Sequence, residues 1–382
     1  MIFGIIRERK QPPDFRTPFS PESCKELVNK FPEINIIIES SPDRCFSDQD
    51  YIDAGFEVLN DISHADILLG IKEVPAEYLI PNKTYLFFSH TIKKQAHNRN
   101  ILRAILKNNI RLIDYECLTW ENGSRIIGFG RFAGIVGTYN GLLTWGKKTN
   151  SFTLSPAYKL GSYDKMKAAL NNISLSPIKI ALCGDGRVAH GALELLEAKG
   201  IREVTKQEFL YSSFDEPVFV HLRSEDYYSR KDGKLWDKSD FYQHPQEYKS
   251  TFLPYAQVCD LMINAIYWDA KIPIFFTREE MKSSRFKIRV IADITCDVDG
   301  AIPATIRSTS IEDPVFGWHA VAEKETEAFL PHTIDIMAVG NLPCELPADA
   351  SEEFGENLLR YVIPYLIYDS NNPIINRATI CD

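Results

Sequence analysis

The amino-acid sequence predicts an α/β protein of two domains, each built on a parallel sheet. Three observations carry this. At 382 residues the chain is longer than one hydrophobic core usually serves. Short apolar runs rich in β-branched residues alternate with amphipathic stretches, which is the rhythm of strands joined by crossover helices. Several runs, among them IKIALC, PVFVHL, CDLMINAIYW and FKIRVIADI, are apolar at nearly every position, as strands buried on both faces of a sheet must be.

In the first third, IFGII, INIIIE, ADILLGI, TYLFFS and RLIDY read as strands, while PESCKELVNKF, DQDYIDAGF and KKQAHNRNILRAILKNN read as the stretches between them. Pro21 suits the first turn of a helix, where its missing N–H costs nothing. Residues 132–145, FAGIVGTYNGLLTW, form a buried helix crossing between the domains, and its three glycines allow close backbone approach. A second series starts at Ile178 with IKIALC, a glycine turn, GALELLEAKG as helix and IREVT as strand. Between PVFVHL and CDLMINAIYW lies a polar, tyrosine-rich insert from Arg223 to Tyr255, with a turn at Lys231-Asp232-Gly233 and no regular structure assigned. ASEEFGENLLRYVIPYLI has apolar positions at helical spacing.

Forty-three Lys and Arg against 52 Asp and Glu leave a net charge of -9, which opposes nucleic acid and anionic membrane surfaces as partners and points to small molecules. No apolar stretch approaches the roughly 20 residues that span a bilayer. The run in MIFGIIRERK is too short for a signal-peptide core, and its charges follow instead of preceding it. The eight cysteines form no CxxC pair and no cluster at metal-ligand spacing, so no metal is expected and a reducing cytoplasm fits. The oligomeric state stays open: the insert is either a lid or a contact within a homo-oligomer.

IKIALCGDGRVAHGALELLEAKG sets Gly184-x-Gly186-x-x-Ala189 after an apolar strand and before a helix. The first glycine permits a tight turn and the second admits a pyrophosphate to the backbone. The small third residue packs helix on strand, while the helix start at Arg187 and Val188 attracts the anion. In this context the motif is that of a Rossmann-like dinucleotide-binding unit, although an ordinary βα turn can also look this way. The acidic residue that would bind a ribose 2′-hydroxyl is not evident in IREVTKQEF: Glu203 is early, Glu208 late, and Lys206 would favour a 2′-phosphate. NAD or NADP therefore stays open.

Three strand-like runs of the first domain are followed by an ionisable group: ADILLGI by Lys72, TYLFFS by His90 and RLIDY by Glu116. Parallel strands present their carboxyl ends to the ligand crevice, so these side chains are placed to converge. RVIADITC delivers Asp297 in the same way, at the end of the last nucleotide-domain strand. Arg16, in DFRTPFSP, is placed to clamp a carboxylate through its planar fork. Each also has a plainer role: a hydrogen-bonded structural His, a solvated Lys, a turn-capping Asp, a surface-paired Arg. Together they suggest a site.

GIKEVP, FFSHTIKKQ, IRLIDYE, GFGRFAG, WDKSDFYQHPQEY, INAIYW, ADITCD and NLPCELPADAS resemble blocks of the lysine-ketoglutarate reductase and lysine-forming saccharopine dehydrogenase family, over nearly the whole chain. The wider superfamily includes alanine dehydrogenase, which the chain resembles in its strand-end Lys, His and Asp. The resemblance implies a discontinuous substrate domain, residues 1–131 and 320–382, around a central Rossmann domain, residues 132–319. It further implies Lys72 and His90 as the acid and base pair, Glu116 tuning them, Arg16 on a substrate carboxylate, and Asp297 at the nicotinamide side. Arg131 stands where relatives carry Gln or an aromatic residue, and is expected to bind substrate. The implied reaction joins lysine and 2-oxoglutarate through an imine that a nicotinamide hydride reduces to saccharopine. The sequence ends at Asp382 without a second dehydrogenase domain, so a bifunctional role is expected to need a separate protein.

Overall fold

The structure, a computed structural model, describes residues 1–91, 99–369 and 371–381. The start of the stretch KKQAHNRNILRAILKNN, read above as helical, lies outside the described residues. The chain divides into two compact units, Met1–Phe129 with Pro347–Asp382, and Gly130–Leu346.

The first unit opens with β1 (Ile2–Ile5), α1 (Pro21–Lys30), β2 (Asn35–Glu39), α2 (Asp48–Asp53) and β3 (Glu57–Leu59). It continues with β4 (Ile67–Leu69), β5 (Thr84–Phe87), α3 (Arg99–Lys107) and β6 (Arg111–Asp114). The Ser20 hydroxyl accepts from the Ser23 N–H and starts α1 with Pro21 in its first turn, as that residue's lost donor permits.

The second unit starts with α4 (Gly130–Thr149), α5 (Ala157–Leu160), α6 (Tyr163–Asn171), β7 (Lys179–Cys183) and α7 (Arg187–Ala198). Then come β8 (Arg202–Glu203), α8 (Lys206–Tyr211), β9 (Val218–Leu222), α9 (Ser224–Tyr227), β10 (Tyr228–Arg230), α10 (Lys238–Gln243) and β11 (Tyr248–Ser250). It closes with α11 (Leu253–Ala256), β12 (Leu261–Asn264), α12 (Arg278–Met281), β13 (Val290–Asp293), β14 (Val315–His319), β15 (Lys324–Thr326) and β16 (Ile334–Met337). The chain returns to the first unit in α13 (Pro347–Tyr361), α14 (Ile363–Tyr368), α15 (Pro373–Ala378) and β17 (Thr379–Cys381). The single C-terminal helix read from the sequence is therefore two, interrupted at Val362, just ahead of Pro364, whose ring and missing N–H oppose an unbroken helix.

The first sheet has the order β17-β6-β5-β4-β1-β2-β3 and is parallel except for β17, which runs antiparallel along β6. Both faces are covered. Phe3, Ile5, Ile38 and Leu69 pack on one side with Phe354 and Leu358 of α13, while Ile37, Leu68, Phe87 and Leu112 pack on the other with Ile105 of α3. This two-sided burial is why these strands read as unbroken apolar runs.

The second sheet has the order β15-β14-β16-β13-β12-β7-β9-β8, parallel from β8 to β16, with β14 and β15 antiparallel at its edge. The resemblance set the return to the first unit at 319/320, but the units divide at 346/347. The physical reason is that β16 pairs with β13 and β14 with β16, so the backbone hydrogen bonds of residues 315–337 belong to the second sheet. The tyrosine-rich insert is ordered: β10 and β11 form an antiparallel hairpin, with the expected turn taken up by Gly233 at φ +79.

The helix expected over 132–145 is α4, and most of its length is buried. It crosses α7 with almost no side chain between the backbones. A Cβ on Gly134 would stand 1.9 Å from the Val188 carbonyl oxygen, and one on Gly191 2.0 Å from that of Arg131. Gly134→Ala is therefore expected to destabilise the second unit, at or above the upper end of the ~1–3 kcal/mol that overpacking costs. Gly186→Ala, whose Cβ meets nothing within 4 Å, should leave unfolding by denaturant unchanged. Equal midpoints for both variants would contradict the close crossing.

Candidate active site

In the first sheet the chain runs outward from β1 to β3 on one side and then from β4 to β6 on the other, so strand order reverses between β1 and β4. At such a switch point the following loops part and leave a crevice beyond the carboxyl ends. Lys72 follows β4, His90 follows β5 and Glu116 follows β6, as the sequence places them. Glu8, which follows β1, joins them: its carboxylate accepts from the backbone N–H of Ile71 at 2.6 Å and of Lys72 at 2.9 Å. This bond ties the two strand ends together at the switch point.

The Lys72 ammonium is pushed down to about 8, first by burial, then by Arg16 and Lys10, against the opposing pull of Asp14 and Glu73. Burial pushes the Glu8 carboxyl up to about 7, although its two backbone donors and Arg16 favour the anion. Arg16 is 3% exposed and forks onto Asp14, Nε to Oδ1 at 2.9 Å and Nη2 to Oδ2 at 2.6 Å. Burial alone would raise the Asp14 carboxyl, but Arg16 holds it well below the usual carboxylate range. The guanidinium also lies over the Phe129 ring, 4.1 Å from its centroid, and Phe129 stacks on Phe354 of α13 at 4.7 Å. The returning C-terminal segment thus props up the arginine.

His90 takes the left-handed conformation, φ +53, which His tolerates better than most residues and which often marks a site. Its Nδ1 lies 3.1 Å from Glu116 Oε2 and its Nε2 3.9 Å from Glu73 Oε1. Glu116 is also bound by Arg125, and its backbone N–H donates to Asp114 at the end of β6. Lys10 Nζ reaches Glu73 Oε2 at 3.3 Å. The sequence reading missed Glu8, Asp14 and Glu73. Glu8 carried a signal, standing three residues past β1 as Lys72 stands three past β4, but in RERK it looked like one charge of a solvated run.

The second sheet also reverses order, between β7 and β12. Gly184, directly after β7, has φ +127, and a Cβ there would stand 2.5 Å from the Ala265 carbonyl oxygen beyond β12. Gly186 faces open space and precedes α7 with no side chain capping the helix start. Arg187 and Val188 open that helix and Ala189 is wholly buried beneath it. His221 Nε2 lies 2.7 Å from the Gly184 carbonyl and steadies the turn. These features suit a pyrophosphate: room at Gly186, uncapped N–H groups and a twelve-residue helix behind them. Beside the turn is a cleft lined also by the insert, including Tyr228, Trp236 and Tyr242, and by Ile266 and Tyr267 beyond β12.

Asp297 does not end the last nucleotide-domain strand: β13 ends at Asp293, whose buried carboxylate is held by Asn264, Thr295 and Thr305, and Asp297 begins an exposed turn four residues on. Arg131 lies in α4 of the second unit, where its guanidinium forks onto Glu194 at 2.7 and 2.6 Å. Lys206 starts α8 and pairs with Asp226, while Glu208 caps the same helix with Thr205 and Glu203 lies on the edge strand β8. The strand beside β7 is β9, not β8.

Among the described residues no group of His, Cys, Asp and Glu is arranged to hold a metal, and no helix is long and apolar enough to cross a membrane.

Raising the Glu8 carboxyl above its ordinary 4.5 means that its protonation favours the folded state: this stability is present below about pH 4.5 and is lost as pH rises through about 7. Glu8→Gln is expected to flatten that fall, read as the difference between variant and parent in denaturant unfolding across this window. An identical pH slope in both would show that Glu8 is not the buried acid described.

Residues 4–136 match the family model described as the alanine dehydrogenase/PNT N-terminal domain. Over 417 residues the chain is 30% identical to the mitochondrial alpha-aminoadipic semialdehyde synthase of Mus musculus, a match covering 98% of this chain and 44% of that protein. It thus spans under half the length of that relative. It is 24% identical over 392 residues to the saccharopine dehydrogenase [NAD(+), L-lysine-forming] of Neurospora crassa, covering 98% of this chain and 93% of that one. In fold it is similar to an L-alanine dehydrogenase, with a TM-score of 0.65 at 18% identity over 100% of this chain and 95% of the other. A transhydrogenase from Sinorhizobium meliloti gives 0.61 at 13% identity, over 99% and 97%. The chain is similar along nearly its whole length to the aminoadipic semialdehyde synthases and saccharopine dehydrogenases, and its N-terminal part matches the alanine dehydrogenase/PNT N-terminal domain.

Proposed function

We propose that this protein is an NAD(P)-dependent oxidoreductase acting on a CH–NH group, and that it reversibly joins lysine and 2-oxoglutarate to form saccharopine. The observation that carries the reading is that Lys72, His90 and Glu116 each follow one of three successive strands, with His90 3.1 Å from Glu116, in a unit where Asp14 holds Arg16 in a fork. Relatives named for this chemistry support it.

The condensation makes three demands on side chains. The attacking amine must be neutral, water must leave the adduct, and the new secondary amine needs a proton. Lys72, pushed down to about 8, exchanges a proton near neutral pH far more readily than an ordinary lysine. His90, with one ring nitrogen on Glu116 and the other facing Glu73, is arranged to relay protons. Arg16, oriented by Asp14, is placed to hold a substrate carboxylate. Gly184, Gly186, Ala189 and the first-turn N–H groups of Arg187 and Val188 would hold the dinucleotide, which supplies the hydride that reduces the imine carbon. The products of the forward step are saccharopine, the oxidised dinucleotide and water.

The test follows NADH and NADPH absorbance with lysine plus 2-oxoglutarate, with alanine, pyruvate and ammonia as separate controls. Oxidation that requires lysine is expected, reduced by about 10²–10⁴-fold in Lys72→Met if the group acts in proton transfer. With Lys72 as base, the rate should fall as pH drops through about 8, where it becomes an ammonium, and Lys72→Met should lose that limb. Oxidation with alanine or ammonia in place of lysine would replace the substrate assignment, and silence with every pair would overturn the activity.

A further inference from the structure

We propose that Glu8 is a positioning residue for the reaction, and that it sets the place of the Lys72 side chain by holding the backbone just beyond β4. This rests on reading Lys72 as the group that exchanges protons with substrate. It goes further by naming what keeps that group in place.

β1 and β4 lie side by side at the switch point, and their ladder continues beyond Ile5 and Leu69 by one bond, from the Ile6 N–H to the Leu69 carbonyl at 3.0 Å. In a parallel ladder the next bond would return from the Ile71 N–H to the Ile6 carbonyl. Instead the Ile71 N–H donates to Glu8 Oε1 at 2.6 Å, and the Lys72 N–H donates to Glu8 Oε2 at 2.9 Å. One carboxylate thus takes two successive backbone donors where the two chains part, and both bonds are charge-assisted when it is ionised. The same stretch is held by β5, since the Ile71 carbonyl accepts from the Phe88 N–H at 3.0 Å. Phe88 stands two residues before His90, and its ring lies edge-on to Tyr115, with 5.3 Å between centroids. Tyr115 precedes Glu116, whose Oε2 is 3.1 Å from His90 Nδ1. Glu8 is therefore the first link in a run of contacts that fixes Lys72 with respect to His90 and its partner.

Burial moves the Lys72 ammonium most, and the foremost charges on it are Arg16, Asp14, Lys10 and Glu73, so Glu8 acts on it chiefly through the backbone. The groups that face Glu8 itself are Asp14, Arg16 and the buried Tyr115 hydroxyl. Position and charge then predict opposite results. Removing a negative charge near an ammonium lowers its pKa further, whereas releasing the backbone lets the side chain leave its buried place and raises the pKa towards the ordinary 10.5.

The experiment compares Glu8→Gln and Glu8→Asp with the parent. Gln keeps the length but turns an amide N–H towards one of the two donors; Asp keeps the charge but is one methylene too short to reach both. The first measurement needs no turnover: the pH dependence of Lys72 acetylation by acetic anhydride, read by mass spectrometry. Lys72 is expected to titrate at about 8 in the parent and higher in both variants. The second is lysine-dependent NAD(P)H oxidation. In Glu8→Gln kcat should fall by up to about 10²-fold, the loss that a displacement of about 1 Å produces, while KM for lysine and 2-oxoglutarate changes little. In a Lys72→Met background Glu8→Gln should cost nothing further, because it acts through the lysine. If Glu8→Gln does not fold, Glu8→Asp carries the same test. A Lys72 pKa that stays or falls in Glu8→Gln, a Glu8→Asp variant that behaves as the parent, or a loss repeated in full in the Lys72→Met background would each overturn the inference. A raised Lys72 pKa in the variants of a protein without lysine-dependent oxidation would overturn the proposed reaction and leave the hold of Glu8 on Lys72 standing.

Discussion

Both units obey one constraint. In an open parallel sheet every strand ends on the same edge, and the helices that cover its two faces leave space beyond that edge only where strand order reverses. Here the reversal lies between β1 and β4 in one sheet and between β7 and β12 in the other. The candidate groups named above lie in loops that leave strand ends on that edge: Glu8, Lys72, His90 and Glu116 in the first unit, Gly184 and Gly186 in the second. The apolar cores matter to function chiefly because they fix where those edges are.

Convergence at a strand edge has an electrostatic consequence. Side chains drawn together out of water must pair, or shift towards neutrality, because an unpaired charge in a poorly solvated place is costly. The first unit shows both outcomes within a few residues. Asp14 and Arg16 stay charged because the fork satisfies each, and the Phe129–Phe354 stack holds the fork in place. Lys72 is crowded by Arg16 and Lys10 and moves down, while Glu8 moves up. A lysine and a glutamate that exchange protons near neutrality are what acid–base work requires, and the same burial that packs the sheet produces them.

The helix crossing of α4 and α7 illustrates a different dependence. Gly134 and Gly191 each face a backbone carbonyl of the other helix, so the first turn of α7, which follows the glycine turn, is held by backbone contact. Glycines at these positions serve two ends at once: close packing, and a fixed direction for the helix whose N-terminus faces the proposed pyrophosphate.

Much of this was legible in the sequence because it depends on local pattern. Apolar runs marked the two-sided strands, Pro21 marked the start of α1, and Gly184-x-Gly186-x-x-Ala189 marked a strand–turn–helix whatever its surroundings. Lys72, His90 and Glu116 could be placed because each follows a recognisable strand. Tertiary structure alone decided the rest. Whether β8 or β9 lies beside β7 depends on a crossover that leaves no periodicity, so that neighbour could not be read from spacing. Glu8 and Asp14 looked like solvated charges because burial is a property of the folded neighbourhood, not of the residue. The pairing of Arg131 is of the same kind: Glu194 is 63 residues away along the chain and becomes its neighbour only when α4 crosses α7. Sequence fixes local conformation through sterics and hydrogen bonding within a few residues, whereas long-range pairing depends on which surfaces the complete chain can bury together.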